Sequence, residues 1–385
     1  MDPNVSRPVV ALVAQEVHDE GGAERAVAEI VRRLGHRFRF VVVASDVQPD
    51  VRELVTWRRV RAPRRPVALA RVVFAVGAAL RLRRVKADIR HVVDASTPVR
   101  ADIVTLHFSH TQFVATMRRP APPGLSPLRT VTRSLTRMVG LAAERVALRP
   151  GRTGAIAAVS RRQGDDLRRL FPSVAVELTP NGCDFPAAPP PGTREALRRE
   201  AGAGEDDVVA LFVGSDFERK GLDIALEAIA LARRRSPRRI RLWVVGGGDV
   251  HRYQGKARRL GLEHDVTFFG PRSDPPRFYA AADVFVLPTR YETFCLAAYE
   301  AAASRLPIVA TPVNGVDELV ADGGAGIAVE VDAESVASAL AELAADGERR
   351  ARMGEEGRAR SAAYTWERST DAVAALYDEV LARSA

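Results

Sequence analysis

Short apolar runs alternate with helical segments along almost all of this 385-residue chain, and that alternation limits the fold more than any other feature. Val9 to Ala14, Phe40 to Ala44, Ile89 to Asp94, Ile103 to Phe108 and Ala155 to Val159 each read as a strand followed by polar or helical sequence. Continuous apolar strands separated by helices belong in parallel sheets covered on both faces, since a parallel connection needs a crossover. The pattern pauses at Phe185-Pro-Ala-Ala-Pro-Pro-Pro-Gly192, a proline cluster that reads as a linker. It resumes with Val208 to Val213, Arg241 to Val245, Val266 to Phe269, Val284 to Leu287 and Ile308 to Thr311, before three helical stretches close the chain. The length suits two domains of roughly 150 to 200 residues each. We therefore expect an α/β protein with two doubly wound domains, residues 1–185 and 193–364, joined by a linker at 186–192. The helix at 365–385 is expected to pack back on the first domain. Open α/β sheets bind ligands beyond the carboxyl ends of their strands, so a cleft between the two domains is the expected site.

Charge divides along the same line. Residues 1–185 hold 31 Lys+Arg against 17 Asp+Glu, while the remainder holds 26 against 31. A basic half and a mildly acidic half point to different partners. Cys183 and Cys295 cannot build a disulfide framework and show no metal-ligand spacing, which suits a reducing compartment. The first residues lack a basic leader region, and the longest apolar stretch, Val67 to Leu80, is interrupted by Arg71 and falls short of the roughly 20 residues that span a bilayer. These features lead us to expect a cytoplasmic protein.

Lysine is scarce: 54 of the 57 basic residues are arginine, and the lysines are Lys86, Lys220 and Lys256. Lys220 sits between the strand Val208 to Val213 and a helical segment, Leu222 to Arg235, in Asp216-Phe-Glu-Arg-Lys-Gly221. A compact ammonium just before a helix N-terminus makes a phosphate site, because free N–H groups and the helix dipole there already favour anions. Gly246-Gly247-Gly248 follows the next strand, so two glycine-bearing loops are expected along one sheet edge, serving as a tight turn or as ligand contacts. Gly21-Gly22-Ala-Glu24 opens a helix, Ala23 to Leu34, after the first strand; it is not a dinucleotide fingerprint, and a glycine pair is more often only a turn.

Tyr291-Glu292-Thr-Phe-Cys-Leu-Ala-Ala-Tyr-Glu300 is the strongest candidate. Glu300 lies in a helix otherwise made of Leu, Ala and Tyr, so it is expected to be buried, and a buried carboxylate needs polar partners such as sugar or ribose hydroxyls. If both glutamates are helical, eight residues place them roughly 12 Å apart. That is too wide for a glycosidase pair, whose carboxyls stand about 5 to 9.5 Å apart. His107 and His110 close a strand of the first domain, and spacing does not decide which of them serves a site.

Taken in order, these segments resemble the family 4 retaining glycosyltransferases of the GT-B fold. The likeness runs through Gly21-Gly22-Ala-Glu24, His107, Val159-Ser-Arg-Arg162, Pro180-Asn-Gly182, Arg219-Lys220-Gly221, Gly246-Gly-Gly248, Glu292 followed eight residues later by Glu300, and Ala310 to Gly315 with Glu318. It implies two Rossmann-like domains facing across a cleft, the second holding a nucleotide-diphosphate sugar and the first the acceptor. Lys220, with Arg219, would neutralise the diphosphate; Glu300 would take the ribose hydroxyls. Glu292 would hold the transferred sugar, helped by amides from Thr293, Phe294, Cys295 and Leu296. Gly247 would touch the donor, His107 would meet an outer sugar hydroxyl, and Gly21 and Gly22 would approach both substrates. No metal or other cofactor is implied, and no side chain is an evident nucleophile, so front-face attack assisted by the leaving phosphate is the implied route. Ser215 stands where many relatives carry an arginine after the glycine of the phosphate strand, so Arg219 is assigned the second positive charge.

UDP is the implied carrier, and the acceptor a glycan, a lipid-linked molecule or a small molecule, which suits glycan or cell-envelope biosynthesis. Arg58 to Arg90 is rich in arginine around the apolar helix Val67 to Leu82. Such a helix lies on the inner face of an anionic membrane, or, as the sequence favours, packs on the sheet with its arginines in water. Three rivals are a nucleotide-sugar epimerase of the same architecture, a basic nucleic-acid-binding protein and a non-catalytic binding module of the same fold. The second lacks the aromatic platforms it would need, so no nucleic-acid partner is expected.

Overall fold

The computed structural model describes residues 7–63, 65–117, 127–184 and 189–384. Residues 185–188 of the proline-rich linker lie outside the described residues. The chain divides into two compact units, Met1–Gly182 with Trp366–Ala385, and Cys183–Thr365.

The first unit begins with β1 (Val9–Val13), β2 (Glu16–Val17) and α1 (Gly22–Leu34). Next come β3 (Arg39–Ala44), β4 (Asp46–Val47), α2 (Pro49–Glu53) and β5 (Thr56–Arg59). They lead to α3 (Val67–Leu82), β6 (Ile89–Val93), β7 (Ala101–Leu106), α4 (His110–Thr116) and α5 (Pro127–Ala147). β8 (Thr153–Ala158), α6 (Arg161–Leu170) and β9 (Ala175–Leu178) complete the run. Seven of the strands form one parallel sheet in the order β5-β3-β1-β6-β7-β8-β9. Successive residues of β1 feed opposite cores, as the two-residue period of a strand requires: Val10 and Leu12 pack with Val27 and Val31 of α1, Ala11 and Val13 with Phe74 and Ala78 of α3. Burial on both faces is why the central strands show no polar alternation.

The second unit runs through α7 (Thr193–Glu200), β10 (Val208–Val213), α8 (Leu222–Ala232), β11 (Ile240–Val245) and α9 (Val250–Arg259). β12 (Val266–Gly270), α10 (Pro275–Ala281), β13 (Val284–Leu287), α11 (Leu296–Ala303) and β14 (Ile308–Ala310) follow. It ends with α12 (Asp317–Val320), β15 (Gly326–Ala328), α13 (Ala333–Ala345) and α14 (Gly347–Ser361). Its parallel sheet has the order β12-β11-β10-β13-β14-β15. α15 (Trp366–Ser384) belongs to the first unit, where buried Tyr377 places its hydroxyl 2.8 Å from His91 Nδ1, while His91 Nε2 lies 2.7 Å from Thr105 Oγ1. Burial presses the His91 pKa down to about 3.

Three strands of the two large sheets escape the sequence pattern. β5 and β9 are edge strands with charged residues on the solvent side, and β15 has three residues, too few to show a period. Several strands also stop earlier than expected. β6 ends at Val93 because Asp94 and Ala95 turn the chain with left-handed backbone, at φ 56° and 48°.

Candidate functional site

In the second sheet the strand order reverses at β10, with β11 on one side and β13 on the other. Loops leaving the carboxyl ends of such a pair run to opposite faces and open a crevice between them. These loops carry Arg219 and Lys220 after β10, and Glu292 after β13. Gly221, the residue before α8, has φ 79°, and a Cβ there would fall 2.0 Å from the carbonyl oxygen of Pro288. Only glycine lets the two loops touch at that point. The Lys220 stem in turn lies over Gly214, where a Cβ would come 2.1 Å from its Cδ.

The three side chains form one ionic cluster. Lys220 Nζ donates to Glu292 Oε1 at 2.8 Å, and Arg219 Nη1 stands 2.8 Å from the same oxygen. Arg219 also donates to the carbonyl of Tyr291 at 2.8 Å and meets Asp216 at 3.3 Å. The Lys220, Arg219 and Glu292 side chains are 12, 19 and 10% exposed. Burial opposes the charge on each, yet their mutual attraction prevails: the lysine and arginine are held above their ordinary values and the glutamate below its own. All three stay ionised at neutral pH and sum to one net positive charge. Arg290 braces the loops by donating to both oxygens of Asp223, at 2.9 and 2.7 Å, while its backbone N–H reaches the Arg219 carbonyl at 2.8 Å.

α11 starts at Leu296, so Glu292 lies in the preceding loop and the helical 12 Å span does not apply. One expectation for the second glutamate needs correction. Glu300 is half-buried, not buried, and accepts a hydrogen bond from the Tyr279 hydroxyl at 2.9 Å, while the buried positions of α11 are Ala298, Tyr299 and Ala301 to Ala303. Cys295 precedes the helix with left-handed backbone at φ 73°, and burial pushes its thiol up to about 11. Thr293 is buried in the same loop, Leu296 is half-buried, and the Phe294 ring stacks on Tyr299 at 4.3 Å, facing the core. Within Gly246-Gly247-Gly248 two positions demand glycine: a Cβ on Gly246, at φ 131°, would fall 2.1 Å from the Gly214 carbonyl and one on Gly248 2.5 Å from the Phe217 ring, whereas a Cβ on Gly247 would make only an ordinary contact with Pro271 at 3.5 Å.

In the first unit α1 begins at Gly22, with Gly21 as the residue before it. A Cβ on Gly21 would collide with the Glu24 carboxylate at 2.1 Å. His107 is half-buried, its Nε2 3.2 Å from Asn181 Oδ1, and its backbone N–H donates to Asp94 Oδ1 at 2.6 Å. Burial holds the His107 pKa down to about 4. A cavity of about 410 Å³ opens at this sheet's own reversal point, where the loops after β1 and β6 separate. Glu24, Arg71, Asp94 and His110 line it; Gly21, Gly22 and His107 do not. Arg71 donates to His110 Nε2, and the His110 ring lies on Gly140, where any side chain would collide with it. Asp94 accepts from the N–H groups of His107 and Phe108, and burial lifts its carboxyl to about 6. The sequence pattern missed Arg71 and Asp94, treating one as an interruption and the other as a strand end; an arginine in the first turns of an alanine- and valine-rich helix was the available signal.

α3 buries Ala68, Ala70, Phe74, Ala78 and Leu82 on the sheet. Val67, Leu69, Val72, Val76 and Leu80 of the same helix stay exposed, as do Val131, Leu135 and Met138 of the neighbouring α5. None of the helices in the described residues is long and apolar enough to cross a membrane.

Residues 193–360 match the family model described as Glycosyl transferases group 1, and residues 20–185 the model described as Glycosyltransferase Family 4. A Stackebrandtia nassauensis protein named D-inositol 3-phosphate glycosyltransferase is 35% identical over 232 residues, 57% of this chain and 52% of that protein. A protein of the same name from Corynebacterium jeikeium is 34% identical over 220 residues, 54% of this chain and 52% of that protein. The chain therefore spans about half the length of these curated relatives. Among solved structures, WaaG, a glycosyltransferase involved in lipopolysaccharide biosynthesis, superposes with a TM-score of 0.78 at 22% identity, covering 94% of this chain and 98% of that one. Sucrose-phosphate synthase from Thermosynechococcus elongatus gives 0.77 at 21% identity, covering 98% of this chain and 100% of that one. These likenesses establish the fold as GT-B, built from two doubly wound Rossmann-like units. With a family model on each half and this fold beneath them, the chain belongs to glycosyltransferase family 4.

Proposed function

We propose that this chain transfers a sugar from a nucleotide-diphosphate sugar, UDP being the favoured carrier, to an acceptor hydroxyl with retention of configuration. The second unit binds the donor and the first the acceptor. One observation carries the reading: Lys220 and Arg219 converge on a single oxygen of Glu292, both at 2.8 Å, where the second sheet reverses its order. There two cations face one poorly solvated carboxylate, the fourth charge of the cluster, Asp216, being 56% exposed, and this suits a diphosphate. As the bond from the anomeric carbon to the diphosphate oxygen breaks, negative charge grows on the leaving group, and the two cations stabilise it. The acceptor oxygen bonds the same carbon on the same face, and its proton passes to the departing phosphate. Glu292 is assigned the hydroxyls of the transferred sugar, with amides of Thr293 to Leu296 beside it, and Glu300 the ribose hydroxyls. His107 and the Gly21-Gly22 turn are proposed substrate contacts of the first unit, and Gly247 a donor contact. Because basic residues supply the charge, this route calls for no metal.

Melting-temperature shifts with UDP, GDP, ADP and their sugars test donor binding, since a tight ligand raises the midpoint by mass action. Transfer to an acceptor, followed by assignment of the new anomeric centre, tests the reaction. Lys220→Ala should abolish it. Donor turnover without any acceptor would point to an epimerase instead, and indifference to every nucleotide would end the proposal.

A specific surface supports peripheral contact with an anionic bilayer. Among the described residues, 54–87, which include α3, hold nine lysines and arginines and no acidic residue, and 131–143 of α5 hold Arg133 and Arg137 and again no acidic residue. These helices also carry the exposed Val67, Leu69, Val76, Leu80, Leu135 and Met138. Apolar insertion beside basic charge is the chemistry of an anionic lipid surface. Co-sedimentation with anionic vesicles at low and moderate salt checks this, and protein left in the supernatant at both removes it. The acceptor is a glycan, a lipid-linked molecule or a small molecule; the name shared by the two curated relatives makes an inositol phosphate the first small molecule to try.

A further inference from the structure

The cavity of the first unit sets one cation, Arg71, and the carboxylates of Glu16, Glu24 and Asp94 against an apolar wall, and of these carboxylates Asp94 is the one that acts on Arg71. Arg71, on α3, is half-buried, and its guanidinium donates to His110 Nε2. Among the described residues no carboxylate comes within ion-pair distance of it; Asp94 acts on it only from farther away. His110 is 7% exposed, and burial together with the Arg71 cation holds its pKa down to about 4. It is therefore neutral near pH 7 and occupies one N–H of Arg71 without cancelling any charge. The Asp94 carboxylate is committed to the backbone of His107 and Phe108. A forked cation with only a neutral partner is suited to a carboxylate or phosphate, which it can grip through two parallel bonds.

The walls around this cation come from Val72, Phe74, Ala75 and Val76 of α3 and from Val139 and Ala143 of α5. A fully hydroxylated ligand would leave its hydroxyls facing hydrocarbon there, at a cost for each hydrogen bond not made. Val72 and Val76 are 45 and 56% exposed, so the apolar wall continues out of the cavity onto the bare face of α3.

We infer that the acceptor recognised by the first unit is an anionic amphiphile, its acidic group seated on Arg71 and its apolar body lying along Val72, Phe74, Val76 and Val139. This rests on the transferase reading and narrows it. The apolar wall disfavours a purely polar acceptor, and the cation disfavours a neutral lipid.

Binding to the full chain without donor tests it by calorimetry, using octyl phosphate below its micelle concentration, octanol, inorganic phosphate and an inositol phosphate. A long-chain prenyl phosphate in neutral vesicles serves as the lipid form. The amphiphile should bind at least tenfold more tightly than octanol or either polar phosphate. Preference for the vesicle form assigns a membrane lipid, and preference for octyl phosphate a soluble amphiphile; both support the inference. Arg71→Gln should weaken the phosphate amphiphile at least tenfold and leave octanol unchanged, with Arg71→Lys in between. Should the glutamine variant not fold, the comparison of probes on the unaltered protein decides by itself. Equal binding of octanol and octyl phosphate, an inositol phosphate bound as tightly as either amphiphile, or no binding of either amphiphile overturns the inference. UDP melting shifts on the same preparation separate the two levels. A chain that responds to UDP but ignores the amphiphiles refutes this inference alone, and one that does the reverse refutes the donor assignment alone.

Discussion

Glu292→Gln keeps the size of the side chain and removes the charge on which two cations converge. Lys220 Nζ and Arg219 Nη1 both lie 2.8 Å from the same oxygen, with 12 and 19% of their side chains exposed. Removing one side of a buried ion pair costs about 3–5 kcal/mol, since the partner charge is left uncompensated. Lys220→Met is milder, because Glu292 keeps Arg219; the loss there is on the order of 1–3 kcal/mol. For a cooperative unit of this size each kcal/mol moves the melting midpoint by about 2–4 °C, so Glu292→Gln should fall by roughly 6–20 °C. In the double variant the stranded ammonium is gone, and the loss should be smaller than the sum of the single losses by about 1–3 kcal/mol. Thermal melts and urea titrations of the four proteins at pH 7.5 measure this. UDP supplies negative charge where Glu292 was lost, so it should raise the midpoint of Glu292→Gln by more than that of the unaltered chain. A lysine variant as damaging as the glutamine variant, or strict additivity of the two, would refute the shared-carboxylate reasoning.

Three further outcomes are expected. Gly221→Ala forces left-handed backbone on alanine, at about 1–2 kcal/mol, and drives a Cβ to 2.0 Å from the Pro288 carbonyl. Melting should drop and UDP affinity should fall at least tenfold; unchanged UDP titration would show that this contact does not position Lys220. Tyr377→Phe deletes the hydroxyl 2.8 Å from His91 Nδ1 and should cost about 1–3 kcal/mol in chemical denaturation, with a null result meaning that the bond adds no stability. The pH dependence follows from His91, His107 and His110, whose pKa values are pressed by burial from 6.5 to about 3, 4 and 4. The unfolded chain binds protons that the folded chain refuses, so their contribution is full above pH 6.5 and is lost as pH falls toward 4. Each loses up to about 1.4 kcal/mol per pH unit. Asp94 opposes them: its carboxyl is raised from 3.8 to about 6, so its contribution is full below 3.8 and lost as pH rises through 6. Urea midpoints between pH 4.5 and 7.5 should therefore rise with pH, and a flat profile would contradict the burial of these rings.

Local sequence carried most of the fold because the central strands are continuous Val, Ile, Leu and Ala runs buried on both faces. Val208 to Val213 and Val284 to Leu287 need no distant information to be recognised as strands. The edge strands β5 and β9 were hidden for the converse reason: half-solvated backbone tolerates Arg58, Arg59 and Glu177. In the site, Lys220 and Glu292 were both visible as unusual residues, but their ion pair joins positions 72 residues apart in the chain. The half-exposure of Glu300 depended on what packs beside α11, which alanine periodicity does not report. Arg71 escaped notice because its meaning comes from His110, 39 residues away, and from the apolar walls around both.

By itself the amino-acid order determined the alternation of strand and helix, the parallel sheets that follow from it, and which side chains were chemically out of place. Those properties depend on residues within a few positions of one another. Tertiary structure alone decided that one carboxylate oxygen serves two cations, that Gly221 rather than a larger residue lets two loops meet, and that an arginine in an apolar helix overlooks a cavity. Such facts arise where the sheet reverses its strand order, because that reversal brings together loops that are distant in the chain and makes their charges act on one another.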